Sequence, residues 1–335
     1  MESPTYQDFN LKPFTTRSNR KALIQISNTL IPYGLLWWLM VQAAEVSPWL
    51  TPPFVILLSL FSLRSFSLMH DCGHGSLFRK PILNRIAGFV LGVVNAVPQR
   101  SWSKDHAYHH KTNGDWQSYR GVADFLSLEE FQSLSPQQQR LYRWIRHPLM
   151  AIPGGFYYLA IQPRLDLILG WIAPKRRIWT STDELIDLWL SNLCTVMAVI
   201  GLGSWAGFGL VLSLYSVILC LTATVLIYVF YVQHIFEKSY AHLSEGWTPM
   251  RGALEGTSLL KLPILLQWFT ANIGYHNVHH LCERIPNYNL ESCHQQNHHL
   301  LQNVPILTLD TMLHSAKFLL WDSANASLIA IPSTK

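Results

Sequence analysis

Apolar and polar stretches alternate along this chain on a scale longer than the elements of most soluble domains. Residues 1–25 are polar, carry Lys12, Arg17, Arg20 and Lys21, and lack the apolar core of a cleavable signal peptide. Leu30 to about Val46 is predicted as a first membrane span, near the lower end of the ~17–25 residues that a span needs. An uncharged, proline-rich turn at 47–53 leads into a second span, Phe54 to Met69. Arg64 interrupts it, and a charge at that depth is expected to snorkel to the interface or to meet a partner. Within residues 71–184, Ile86–Val97 is too short to cross and reads as a buried or in-plane helix. Phe156–Trp171 is broken by Pro163, Arg164 and Asp166 and reads as interfacial. Leu185–Ile200 and Phe208–Val232 form another pair of spans around the uncharged joint 201–207. Beyond 233 the chain is mostly polar; Leu309, Met312, Leu313, Ala316 and Leu320 predict a packing helix.

The expected architecture is an all-α integral membrane protein. Four transmembrane helices in two hairpins would sit under a cytoplasmic helical cap holding a di-metal site. The whole chain, 1–335, reads as one domain: an N-terminal segment 1–28, spans over 29–69, cap over 70–184, spans over 185–232 and cap again over 233–335. Composition agrees. Charged residues make up 13%, against about 25% in soluble domains, and there are 13 Trp, 13 Tyr and 15 Phe to furnish interfacial belts. The net charge of +5 is a topology signal rather than a nucleic-acid signal, because fourteen of the 25 Lys and Arg fall within 71–184 and none in the short inter-span turns. That asymmetry places both termini and the long regions in the cytoplasm. The five cysteines (72, 194, 220, 282, 293) form no CxxC pair and read as reduced thiols.

The candidate chemistry lies in histidine. His70 and His74 are spaced i, i+4; His106, His109 and His110 are spaced i, i+3, i+4; His276, His279 and His280 repeat that spacing. On a helix each set shares one face. Eight imidazoles exceed the four ligands of one zinc, so two metal ions fit better, and imidazole suits iron, copper and zinc. His234, at the end of the last span, is a candidate ninth ligand. Two spans separate His110 from His276, so all three clusters reach the same side. Asp71, Asp105 and Asp115 are candidates to orient imidazoles from behind. Glu291 with His294 is an incidental Glu-x-x-His pair, and His147, His242, His294, His298, His299 and His314 read as surface or supporting residues. A histidine-rich site next to the membrane suggests O2 activation against an unactivated C–H bond of a lipid chain. A metal transporter would hold its ligands near the bilayer midplane on broken helices, whereas these follow the spans. A zinc hydrolase would need three protein ligands and an open position.

These boxes, HDCGH at 70–74, HAYHH at 106–110 and HNVHH at 276–280, resemble those of the membrane fatty-acid desaturases. The likeness extends to Tyr231-Val232-Gln233-His234, Glu245-Gly246-Trp247, Arg251–Leu254, Gln267-Trp268-Phe269 and Ile285–Leu290, in the manner of bacterial acyl-lipid desaturases of the delta-12 (omega-6) type. The resemblance implies a non-haem di-iron centre with His70, His74, His106, His109, His110, His276, His279 and His280 as ligands and His234 at the position of an extra one. It also implies O2 as co-substrate, and a fatty acyl substrate on a lipid or an acyl carrier. Ile152-Pro153-Gly154-Gly155 lacks the histidine of a fused haem motif, so electrons are expected from a separate ferredoxin or cytochrome b5. Arg140, Arg143, Arg146, Lys175, Arg176 and Arg177 are candidates to dock such an acidic carrier. Relatives with the same boxes hydroxylate or form triple bonds; an acyl hydroxylase or acetylenase is the alternative on this scaffold.

Overall fold

Residues 4–121 and 124–332 are described in the computed structural model, which is mainly helical. α1 (Asn19–Val46) starts well before the apolar run, because Ser18 caps it by accepting from the Lys21 amide. α2 (Pro52–Gly73) opens with prolines, whose missing amide donors cost nothing in a first turn. α3 (Pro81–Val94) packs back along α2, with Ser65 Oγ donating to the Leu91 carbonyl at 3.0 Å. A bend of 102° then leads into α4 (Gln99–Thr112). α5 (Leu128–Ser133) and α6 (Pro136–Ile145) each begin with a capping box, on Ser127 and Ser135. α7 (Ala151–Phe156) runs through a π turn at 157–161 into α8 (Gln162–Ile172). α9 (Thr182–Ala206) is capped by Ser181 and meets α10 (Phe208–Leu226) at Gly207, whose φ of 91° suits glycine. α11 (Pro249–Leu254), α12 (Ile264–Phe269), α13 (His276–Leu281), α14 (Asn287–Gln296) and α15 (Leu309–Ser315) complete the helices.

Among the described residues, three helices are long and apolar enough to cross a membrane: Pro52–Gly73, Thr182–Ala206 and Phe208–His234, the last being α10 with its distal turns. The bent pair α3 and α4 would make a fourth only if it counted as one span. The expected first span does not join them. α1 is 28 residues long, but its N-terminal turns carry Arg20 and Lys21, and Gln42 and Glu45 interrupt its apolar half.

The all-α expectation also needs correcting. β1 (Leu126–Ser127), β4 (Phe318–Asp322) and β5 (Ser327–Ala330) form one small sheet in the order β1-β4-β5; β2 (Leu259–Leu260) and β3 (Ile306–Leu307) pair in parallel as another. The predicted C-terminal helix therefore ends at Ser315, and Leu320 lies on β4. β4 runs antiparallel to β5, and Trp321 stacks on Trp116 with ring centroids 4.6 Å apart. Tertiary stacking outweighs the weak helical stripe.

Arg64 meets partners rather than snorkelling. It is buried, donates from Nε to Thr29 Oγ1 at 3.1 Å and from Nη1 to the Trp268 carbonyl, and lies over the Trp268 ring at 3.7 Å. One cation thus ties α1, α2 and α12 together. The polar N-terminal segment is also built in: Phe9 is buried beside Leu290 and Cys293, and the Asn10 amide donates to Asn297.

Candidate metal centre

Four elements bring nine histidines together. His70 stands on the last turn of α2 and His74 caps its C-terminal end. Gly73 between them lets α4 approach, since a Cβ there would lie 2.4 Å from Ser103 Oγ. α4 supplies His106, His109 and His110 from one face. α10 continues through a π turn at 227–231 and a tight turn at 232–234, which delivers His234; such turns re-aim side chains at functional sites. α13 supplies His276, His279 and His280, and the chain enters it through Gly274, where a Cβ would lie 2.4 Å from the Leu260 carbonyl oxygen.

The nine fall into two groups. His70, His74, His106, His110 and His279 form one; His109, His234, His276 and His280 form the other. Within each group the nearest ring nitrogens lie within 4.8 Å of one another. Nε2 to Nε2 distances are 3.0 Å for His106–His110, 3.0 Å for His110–His279, 3.1 Å for His109–His234 and 2.8 Å for His234–His276. Two nitrogens each about 2.0–2.1 Å from one metal, at right or tetrahedral angles, are about 2.8–3.4 Å apart. The Nε2 atoms of His70, His74 and His280 are buried without a hydrogen-bond partner among the described residues. Clustered imidazoles facing each other in this way fit metal ions. Burial, followed by the neighbouring imidazoles, pushes the pKa of His276, His279 and His280 well below the usual histidine range. They are neutral at pH 7, the form that binds a metal.

Behind the ring nitrogens lies a supporting layer. His70 Nδ1 lies 3.3 Å from Asp71 Oδ1, while Asp71 Oδ2 accepts from the amide and the side-chain Nδ2 of Asn287, both at 2.8 Å. Gln25 on α1 closes the chain by donating to Asn287 Oδ1 at 2.7 Å. His234 Nδ1 faces the Gly256 carbonyl at 3.0 Å. His74 Nδ1 lies 3.2 Å from Glu283 Oε2, and that hydrogen bond is the main cause holding the Glu283 carboxyl below its usual range. His110 Nδ1 is 3.9 Å from the same oxygen.

Of the three carboxylates singled out in the sequence, only Asp71 does this. Asp115 instead accepts from Ser118 Oγ and Ser244 Oγ, pinning the loop after α4. Among the described residues Asp105 is hydrogen-bonded to none of the nine. Glu283 was missed. Its signal is its place three and four residues beyond His280 and His279, just past the end of α13. Replacing Glu283 with glutamine should weaken metal retention by about 10-fold, because a charge-assisted bond orienting His74 becomes a neutral one; chelator competition on the metal-loaded protein reads this. His147, His242, His294, His298, His299 and His314 lie outside both groups. His294 is buried against Tyr275.

Two cavities flank the centre. One of about 40 Å³ touches His109 and His234 and is walled by aromatic residues, including Trp116, Tyr119, Phe125 and Tyr231. The other, about 380 Å³ and open to the outside, reaches His74 between Gln99, Arg100, Ser103 and Glu184. Of the proposed carrier-docking cations, Arg143 and Arg146 are turned inward onto Phe131, Phe125 and Tyr142, because their guanidinium groups stack on aromatic faces. Arg140, Lys175, Arg176 and Arg177 are exposed.

Comparison with known proteins gives the same direction. The family model described as fatty acid desaturase matches residues 47–309. A fatty acid desaturase of Bacillus subtilis (strain 168) is 36% identical over 325 residues, covering 96% of this chain and 89% of that protein. An sn-2 acyl-lipid omega-3 desaturase (ferredoxin), chloroplastic, of Arabidopsis thaliana is 28% identical over 281 residues, covering 77% of this chain and 57% of its own length. An acyl-lipid omega-3 desaturase (cytochrome b5), endoplasmic reticulum, of the same plant is 28% identical over 258 residues, 70% and 60% respectively. The chain thus spans under two thirds of these two plant relatives, and their names carry omega-3 rather than omega-6.

Proposed function

The chain belongs to the fatty acid desaturase family, an oxidoreductase class, and from that premise we propose that it introduces a double bond into a lipid acyl chain at a histidine-held di-iron centre. The observation that carries this reading is the division of nine histidines into two adjoining groups beside helices long and apolar enough to cross a membrane. His70, His74, His106, His110 and His279 would hold one iron; His109, His234, His276 and His280 would hold the other. Bound there, the two irons would supply activation of O2 toward an unactivated C–H bond.

The protein's part is position and exclusion of water. Asp71, Glu283 and the Gly256 carbonyl fix the ring orientations of His70, His74 and His234. The aromatic cavity at His109 and His234 suits an acyl chain, yet it has room only for a few water-sized groups. An entering chain must therefore part side chains such as Phe125 and Tyr231. The larger, polar opening at His74 suits the protons consumed and the water formed. In balance, the acyl chain gives up two hydrogens, and O2 takes these with two electrons and two protons to leave two waters.

A ferredoxin or cytochrome b5 is the proposed electron source, since relatives are named for each. With α2, α9 and α10 as spans and the less apolar α1 paired to α2, the centre would lie on the cytoplasmic face, as the Lys and Arg distribution suggests. The 1–335 chain then acts as one domain. The test is purified full-length enzyme with a carrier, its reductase, O2 and acyl lipids, read by mass spectrometry. A product two hydrogens lighter is expected. A product sixteen mass units heavier would make the enzyme a hydroxylase.

A further inference from the structure

α6 is turned inside out for a helix facing water. Leu141, Trp144 and Ile145 are 54%, 61% and 47% exposed, and Leu149 just past its end is 67% exposed. Positions 141, 144, 145 and 148 recur at i, i+3, i+4 and i+7, so Pro148 continues the same stripe. The side chains that hold the helix point the other way, while Gln137, Gln138 and Arg140 in its first turns stay exposed. Arg143 lies 5.2 Å over the Phe131 ring, Arg146 lies over Phe125 and Tyr142, and Tyr142 donates its hydroxyl to the Leu319 carbonyl at 2.8 Å. The helix is held to the protein by its polar face and presents an apolar one.

The chain on either side says what covers that stripe. Two residues after Leu149 it enters α7, whose first turn carries exposed Ile152. α7 packs on α10, so closely that a Cβ on Gly155 would lie 2.6 Å from the Ala223 Cβ. The exposed apolar residues therefore continue from α6 onto a helix that packs directly against a candidate span. Exposed Arg140 and His147 flank it, and cations beside an apolar stripe with an outward tryptophan suit a bilayer interface.

We propose that α6 is an in-plane membrane helix, its Leu141–Trp144–Ile145–Leu149 stripe seated at the headgroup–acyl boundary. This rests on the reading of α9 and α10 as spans. It gives the helix a role: its inner face backs Phe125, which forms with Tyr231 the wall of the cavity at His109 and His234. Contact with the bilayer holds that wall at the level where an acyl chain arrives.

The test uses the full-length chain in vesicles containing phosphatidylglycerol, with Cys194, Cys220 and Cys282 replaced. Single cysteines Trp144→Cys, Ile145→Cys, His299→Cys on an exposed turn and, on the outer face of α9, Met197→Cys carry an environment-sensitive fluorophore. Quenching is read with shallow and deep nitroxide lipids and with aqueous iodide. The proposal expects labels at 144 and 145 to be quenched by the shallow lipid and several-fold less by iodide than the label at 299. The label at 197 should respond to the deep lipid. Equal iodide quenching at 144, 145 and 299, with 197 still lipid-quenched, would overturn the proposal and leave the spans standing. Loss of lipid quenching at 197 would overturn both. Protection at 144 that rises with protein density would assign the stripe to a second copy and overturn the proposal.

Discussion

His279→Ala is expected to abolish turnover while the protein remains inserted in the membrane, and His276→Ala and His280→Ala are expected to do the same. His279 is almost fully buried, and its ring lies within 5 Å of those of His70, His74 and His110, centroid to centroid. Removing it takes a nitrogen from the middle of the five-membered group. His276 holds the corresponding place in the other group, 2.8 Å from His234. Lost ligands weaken metal binding directly. His298 and His299, exposed on a short turn outside both groups, serve as controls, and their alanine variants should be nearly silent. Acyl-product mass spectrometry beside metal content separates the sets. Equal behaviour of the two sets would overturn the division of the histidines.

The next largest effect is expected at Asp71. Its two oxygens do different work: Oδ1 faces the Nδ1 of His70, and Oδ2 accepts two hydrogen bonds from Asn287. Asp71→Ala should lower metal affinity by about 10–100-fold through the freed His70 ring. It should also destabilise the fold, since each donor of Asn287 left buried and unpaired costs about 1–3 kcal/mol. Asn287→Ala should give a smaller loss, because Asp71 then keeps its place beside His70 but loses the clamp on its other oxygen. Iron titration and thermal unfolding of both variants check this; unchanged affinity in Asp71→Ala would remove its orienting role.

Long-period patterning made the spans legible, and local spacing made the site legible. The runs at 54–69, 185–200 and 208–232 lie within the three helices apolar enough to cross a membrane, because a continuous apolar run has few other uses at such length. The i, i+3, i+4 spacing worked for the histidines because α4 and α13 present one face each. What stayed hidden depends on tertiary contacts. Glu283 carries one mark in the sequence, its spacing from His280 and His279, and that mark is weak because the residue lies beyond the end of α13. The C-terminal strands were hidden because a few apolar residues between 309 and 320 match a helix as readily as a strand, and the Trp116–Trp321 stack decides between them. Arg143 and Arg146 read as solvent-facing charges, whereas aromatic faces hold them inward. The start of α1 was misplaced because the capping serine precedes the apolar run by more than two turns.

Each of the two histidine groups is proposed to hold one iron. The most direct measurement is the metal content of the purified full-length chain from iron-replete cells, taken together with its Mössbauer spectrum. About two irons per chain, with histidine-rich coordination and loss of iron in His279→Ala, is the predicted result. One metal per chain, or zinc in place of iron, would contradict it.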